Sequence, residues 1–160
     1  MPIKVGDRLP TASFMVMTAE GPKPKTTDEI FKGKKVVLFA VPGAFTPTCH
    51  KNHLPGFVKN ADAIKAKGIS TIAVTGVNDV FVMDAWKKAS GGDAIEFLAD
   101  GSGKFATALG LAADLTERGL GVRSQRYAMV VDDGVVKTLN IEDAPGKADI
   151  SGAENLLKGL

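Results

Sequence analysis

The chain has 160 residues, 44% of them hydrophobic, enough for one buried core and an expected single domain over residues 1–160. Lys and Arg total 20 against 18 Asp and Glu, and a net charge of +2 gives no general pull toward nucleic acid or an anionic membrane. The opening "MPIKVGDRLP" has neither the apolar core of a signal peptide nor the Arg-rich bias of a transit peptide, and no apolar run approaches the roughly 20 residues that span a bilayer, so the expectation is a soluble, cytoplasmic protein.

Near the start, "TASFMVM" reads as an outer strand. "VVLFAV" (36 to 41), "ISTIAVTG" (69 to 76) and "YAMVVDDG" (127 to 134) are short, β-branched and apolar on both faces, as strands covered by helices on each side are. Between the first two, Phe57, Ala61 and Ile64 fall at helical spacing and Gly68 supplies a stop, which makes a βαβ unit. A second helix over 79 to 90 leads to a strand over 95 to 99, and "GKFATALG" forms a brief helix. "DDG" at 132 to 134 suits a type I′ turn joining "YAMVV" to "VVKTLN" in a hairpin. In the tail "SGAENLLKGL", Ser151 and Glu154 have capping-box spacing and Gly159 follows the last turn. This order predicts an α/β, thioredoxin-like fold, a central mixed β-sheet flanked by helices.

The one cysteine, Cys49, stands in "VPGAFTPTCHKNHLPGF", where the first apolar strand gives way to loop residues. A single sulfur excludes a disulfide within the chain, a CxxC dithiol and a multi-cysteine zinc site. Thr46 suits an N-cap and Pro47 the first helical position, which puts Cys49 third in the helix. There the unpaired amides and the positive end of the helix dipole favour the thiolate over the thiol. A lone cysteine is often only a small core hydrophobe, and N-capping alone accounts for Thr46. His53, four residues on, shares a helical face with Cys49 as a candidate base or metal partner. His50 lies about 100° away around the helix, and two histidines with one thiol make an incomplete zinc set, so no metal or cofactor is expected.

The sequence "PGAFTPTC", with Pro42, Thr46 and Cys49 in the order P-x-x-x-T-x-x-C, resembles the active-site signature of peroxiredoxins, and the longer stretch is similar to their type II, or peroxiredoxin-5, subfamily. "GVNDVFVMDAW", "LGVRSQRYAMVVDDGVV" and "SGAENLL" resemble the same subfamily in order and spacing. Two departures stand beside the cysteine: Thr48 where many members have Gly, adding bulk near the peroxide site, and His50 where many have Ser.

The resemblance implies a thiol peroxidase for hydrogen peroxide and alkyl hydroperoxides, serving antioxidant defence. Cys49 is its nucleophile and passes through a sulfenic acid; Thr46 and the Cys49 amide hold the peroxide, Pro42 shields the sulfur, and Arg126 follows the charge moving to the leaving oxygen. By strand alternation Arg126 shares a face with Ala128 and Val130, where a charge needs a partner; Arg123 reads as a solvated loop charge. Some relatives carry a second cysteine near the positions of Val74 or "NIEDAPGKADIS"; neither region here has one. The expected reductant is therefore external: glutathione, with or without glutaredoxin, or else thioredoxin. A homodimer is expected from the helix "VFVMDAW", apolar nearly all round. Rival readings are a Cys–His hydrolase built on Cys49 and His53, and a noncatalytic binding module or redox sensor.

Overall fold

In a computed structural model, which describes residues 2–144 and 146–160, the chain builds a seven-stranded mixed sheet. Its strands are β1 (Ser13–Thr18), β2 (Gly21–Thr26), β3 (Lys35–Val41), β4 (Thr71–Gly76), β5 (Glu96–Ala99), β8 (Tyr127–Asp132) and β9 (Val135–Ile141), in the order β2-β1-β5-β4-β3-β8-β9. The neighbours β3, β4 and β5 run parallel, while β8 pairs antiparallel with β3 and β9 antiparallel with β8. A separate ribbon pairs β6 (Ala112–Leu115) with β7 (Gly121–Ser124).

Alternation along β3 sorts the core into two halves. Val37, Phe39 and Val41 face one side, with Phe57 and Ile64 from α2 (Leu54–Lys65), Met83 and Trp86 from α3 (Val80–Ser90), and Leu156 from α5 (Ala153–Lys158). Val36, Leu38 and Ala40 face the other, with Ile30 from α1 (Thr27–Phe31) and Phe105 from α4 (Lys104–Ala108). Each large side chain buried this way contributes about 1.5–3 kcal/mol. The expected thioredoxin-like arrangement is thus present, and Asp133 and Gly134, at φ 50° and 81°, make the hairpin turn as its type I′ reading requires.

Two local expectations need correction. The stretch at 11 to 17 is not the sheet's edge: β2, "GPKPKT", lies outside β1. Pro22 and Pro24 hide that strand from a search for apolar alternation, yet an edge strand tolerates a missing N–H on its open side. The capping box at the last helix does not form, because the Ser151 hydroxyl donates instead to Glu142 Oε2 at 2.8 Å and Gly152 occupies the N-cap. Helix α3 keeps the mostly apolar surface read from its sequence: Val80, Met83 and Trp86 are buried, while Ala85 is exposed and Phe81 is 65% exposed.

The topology brings the start of β8 to the end of β3. Tyr127 pairs with Ala40, so Arg126 stands beside the loop that leaves Val41. Tyr127 also pairs with Ile141, and the Glu142 amide donates to the Arg126 carbonyl at 2.9 Å. Residues distant in sequence thereby meet at one end of the sheet.

Candidate active site

After β3 the chain turns through Pro42 to Thr46. A Cβ on Gly43 would approach Thr46 Cγ2 to 2.9 Å and Arg123 Nη1 to 3.0 Å, so a side chain there would displace Thr46 or Arg123. Phe45 is held at φ 64°, an uncommon conformation for a residue with a side chain. Pro47 is the first helical residue, and the His50 amide donates to the Thr46 carbonyl at 2.8 Å, as an N-cap position demands. The Thr46 side chain does not cap the helix, however; its hydroxyl donates to the Gly43 carbonyl at 2.6 Å. With its one proton committed there, Oγ1 keeps its lone pairs for another donor.

Cys49 is third in the helix, as its spacing predicted, but the turn it opens is a π-helix over Cys49–His53 rather than α-helical. Cys49 and His53 are both buried there. Arg126, also buried, donates from Nη2 to Cys49 Sγ at 2.9 Å and from Nη1 to His53 Nδ1 at 2.9 Å. A guanidinium has no acceptor, so in this contact the sulfur is the acceptor.

The second contact fixes His53. Its Nδ1 can only accept, and its Nε2 lies 2.9 Å from the Ser151 carbonyl, to which it can only donate, leaving one neutral tautomer. Burial first, and the Arg126 charge second, bring the imidazole down to about 3; the hydrogen bond to Ser151 opposes this. Phe39 and Phe57 flank the ring, with centroids 5.0 and 5.5 Å away, and keep the surroundings apolar. Glu142 then anchors the Ser151 segment: its Oε2 accepts from the Asp149 amide at 2.7 Å and from the Ser151 amide and hydroxyl at 2.8 Å each. A hydrogen-bonded chain thus runs from Glu142 through Ser151, His53 and Arg126 to the sulfur. Neither ring nitrogen of His53 is left to take a proton from Cys49, which removes the basis of a Cys–His hydrolase.

Other neighbours also depart from expectation. Arg123 is not a solvated charge; it is half-buried, its Nε donating to the Leu120 carbonyl at 2.8 Å and its Nη1 3.4 Å from the Pro42 carbonyl, under the turn. His50 accepts at Nδ1 from the Trp86 indole at 3.1 Å. Thr48 donates to the Gly146 carbonyl at 3.0 Å, and both residues line a cleft of about 380 Å³. Pro42, Thr46 and Arg126 line that cleft, with Cys49 fully buried beside them. All four predicted site residues therefore converge. Glu142 completes the cluster without having been assigned to it from sequence; His53, placed beside Cys49 by its i+4 spacing as a candidate base or metal partner, instead accepts from Arg126, the charge that sequence alternation left in need of a partner.

A sheet of this order, with a lone thiol at a helix start against a buried guanidinium, defines a class of thioredoxin-like thiol enzymes. The chain matches the Redoxin family over residues 4–157. It is 50% identical to the chloroplastic Peroxiredoxin-2E of Arabidopsis thaliana, over 99% of this chain and 69% of that one. To Peroxiredoxin-2C of Oryza sativa subsp. japonica it is 47% identical over 99% of each. The crystal structure of reduced Prx3 from Vibrio vulnificus in complex with hydrogen peroxide superimposes with a TM-score of 0.94 at 52% identity, covering 98% of both chains. The chain belongs to the peroxiredoxins within the Redoxin family, the thiol-dependent peroxidases. No helix among its described residues is long and apolar enough to cross a membrane.

Proposed function

We propose that this single-domain peroxiredoxin reduces hydrogen peroxide and alkyl hydroperoxides with Cys49 as its only redox sulfur, and that an external thiol restores it. The observation that carries the reading is the 2.9 Å contact between Arg126 Nη2 and Cys49 Sγ. The thiolate attacks one peroxide oxygen; a sulfur–oxygen bond forms as the oxygen–oxygen bond breaks, and sulfur loses two electrons. The leaving hydroxide or alkoxide takes the proton that left the thiol, giving water or an alcohol beside the Cys49 sulfenic acid. Arg126 holds the sulfur before the step and the departing charge during it, a fixed donor placed where charge develops. Thr46, whose proton is held by Gly43, receives a hydrogen bond from the peroxide, and the Cys49 amide, an unpaired first-turn donor by position, gives one. Pro42 closes the turn over the sulfur.

With one cysteine in the chain, the sulfenic acid condenses with a small thiol to a mixed disulfide and water. A second thiol releases the free cysteine and a disulfide. Glutathione, with or without glutaredoxin, is the proposed reductant, a compact tripeptide suited to a narrow cleft; thioredoxin is second. A reducing compartment suits this cycle, and the cytoplasm is the proposed one.

Peroxide titration followed by intact mass tests the cycle. Without donor, Cys49 should gain two and then three oxygens; with glutathione these give way to an adduct or the free thiol, and Cys49→Ser should show neither these changes nor turnover. A dominant Cys49-linked dimer in both conditions would replace the external-thiol cycle with resolution by a second subunit.

The homodimer is also proposed. Phe81 is 65% and Phe45 47% exposed, the latter on the turn before Cys49, which supports pairing through the elements that frame the site. Light scattering should report a dimer at micromolar concentration and a monomer for Phe81→Glu; a wild-type monomer would overturn it.

A further inference from the structure

Hydrogen peroxide, a molecule little larger than water, fills a small part of a cleft of about 380 Å³. Beyond Pro42, Thr46 and Arg126 the walls change character. Pro47 and the half-buried Leu115 and Leu120, at the two ends of the β6–β7 turn, add apolar lining, and Thr48 and Gly146 complete the uncharged part. Between the two leucines in the chain, Arg118, from a 3₁₀ turn over Thr116–Arg118, also lines the cleft. Its guanidinium makes no ion pair among the described residues, and its acidic neighbours Asp114 and Glu117 are not in the cleft lining. The cleft lining thus combines apolar side chains with two arginines, Arg126 at the sulfur and Arg118 on an exposed turn. Such a lining fits a molecule with a reactive head, an apolar stem and an anionic end.

We propose that this cleft is a subsite for organic hydroperoxides bearing a carboxylate, with Leu115, Leu120 and Pro47 covering the stem and Arg118 pairing with the carboxylate. This inference rests on the peroxidase reading above and names a substrate class for the same site. The chemistry is unchanged: the distal peroxide oxygen is transferred to Cys49 as the oxygen–oxygen bond breaks, and the alkoxide, still bearing its carboxylate, takes the thiol proton and departs as a hydroxy acid.

The test is single-turnover oxidation of Cys49 by a straight-chain hydroperoxide ending in a carboxylate, by its methyl ester and by hydrogen peroxide. The acid should react about fivefold faster than the ester, the effect of one exposed ion pair at its upper range. Arg118→Gln should bring that ratio to one; because the ratio is read within each variant, any general loss of activity cancels. Leu120→Ala should slow acid and ester together relative to hydrogen peroxide, by about fourfold for each methylene no longer covered. A wild-type ratio of one, or a preference that survives Arg118→Gln, overturns the subsite. So does a defect in Arg118→Gln confined to glutathione reduction of the sulfenic acid, which assigns the cleft to the reducing tripeptide. Failure of hydrogen peroxide itself to oxidise Cys49 is a distinct outcome: it overturns the parent reading and this one with it.

Discussion

Arg126 and Tyr127 are adjacent in the chain, buried to the same degree, and point to opposite faces of the sheet. On the Arg126 face the polar groups around Cys49 are linked in series, each donor matched to an acceptor as far as Glu142. On the Tyr127 face the phenol has no hydrogen-bond partner among the described residues, and burial, then the Asp100 carboxylate, push its ionisation up. Asp100 instead accepts from the Phe105 and Ala106 amides at 3.0 and 2.9 Å, tying down the start of α4. Both faces bury polar atoms. One uses them to hold a reactive atom in position and the other to anchor a helix, so burial of a charged group does not by itself mark a catalytic centre.

Breaking the Arg126 side at its centre should have the largest effect. Arg126→Met is expected to slow peroxide oxidation of Cys49 by about 10²-fold or more, the usual loss when one electrostatic stabiliser is removed. Arg126→Lys should recover only part, since an ammonium lacks the fork that reaches Sγ and His53 together. Stopped-flow oxidation under single-turnover conditions measures both, and an unchanged rate in the Met variant would show that another group stabilises the leaving oxygen.

His53 comes next, as a positioning residue. His53→Ala leaves the Arg126 fork and the Ser151 carbonyl each short of a partner, with an expected cost of about 1–3 kcal/mol in stability and a slower oxidation step. His53→Gln, which can both accept from Arg126 and donate to Ser151, should restore much of each. The pH dependence separates positioning from packing. His53 stays neutral in the folded chain down to about 3, whereas the unfolded imidazole protonates below about 6.5. The unfolded state therefore binds the extra proton between those values. Stability should be flat in this group above pH 6.5 and fall as the pH drops toward 3, by about 4 kcal/mol in all. Urea unfolding at stepped pH should show that slope in the wild type and its loss in His53→Gln; a slope retained in the variant would assign the acid sensitivity to other groups.

The smallest effect on catalysis should come from the other face. Asp100→Asn removes one of two acceptors for the α4 amides, an expected loss of about 1–2 kcal/mol in stability with Cys49 oxidation within about twofold of wild type. A large kinetic defect there would mean that the two faces are coupled through the Arg126–Tyr127 backbone.

What the sequence made legible follows from how local each signal is. Strands β3, β4 and β8 announce themselves because β-branched residues buried on both faces leave little else for a short run to be. Strand β2 is hidden by its prolines and lysines, and β6 and β7 are four residues each, too short for a period to show. In the site, Pro42, Thr46 and Cys49 lie within eight residues and form one pattern. His53 and Arg126 are 73 residues apart, and His53 and Ser151 98, so their partnership exists only once the β3–β8 pairing and the packing of α5 on α2 bring them together. The π-turn is likewise a product of packing, since nothing in "CHKNH" excludes an ordinary α-turn.

The one tryptophan of the chain is Trp86, buried, with its indole N–H on His50, the residue next to Cys49. All the indole emission of the protein therefore originates one hydrogen bond and one peptide unit from the sulfur. Any rearrangement of the first helical turn that shifts the His50 ring alters the surroundings of that indole, so the protein carries an intrinsic optical probe at its own thiol, readable without a label or a second reagent.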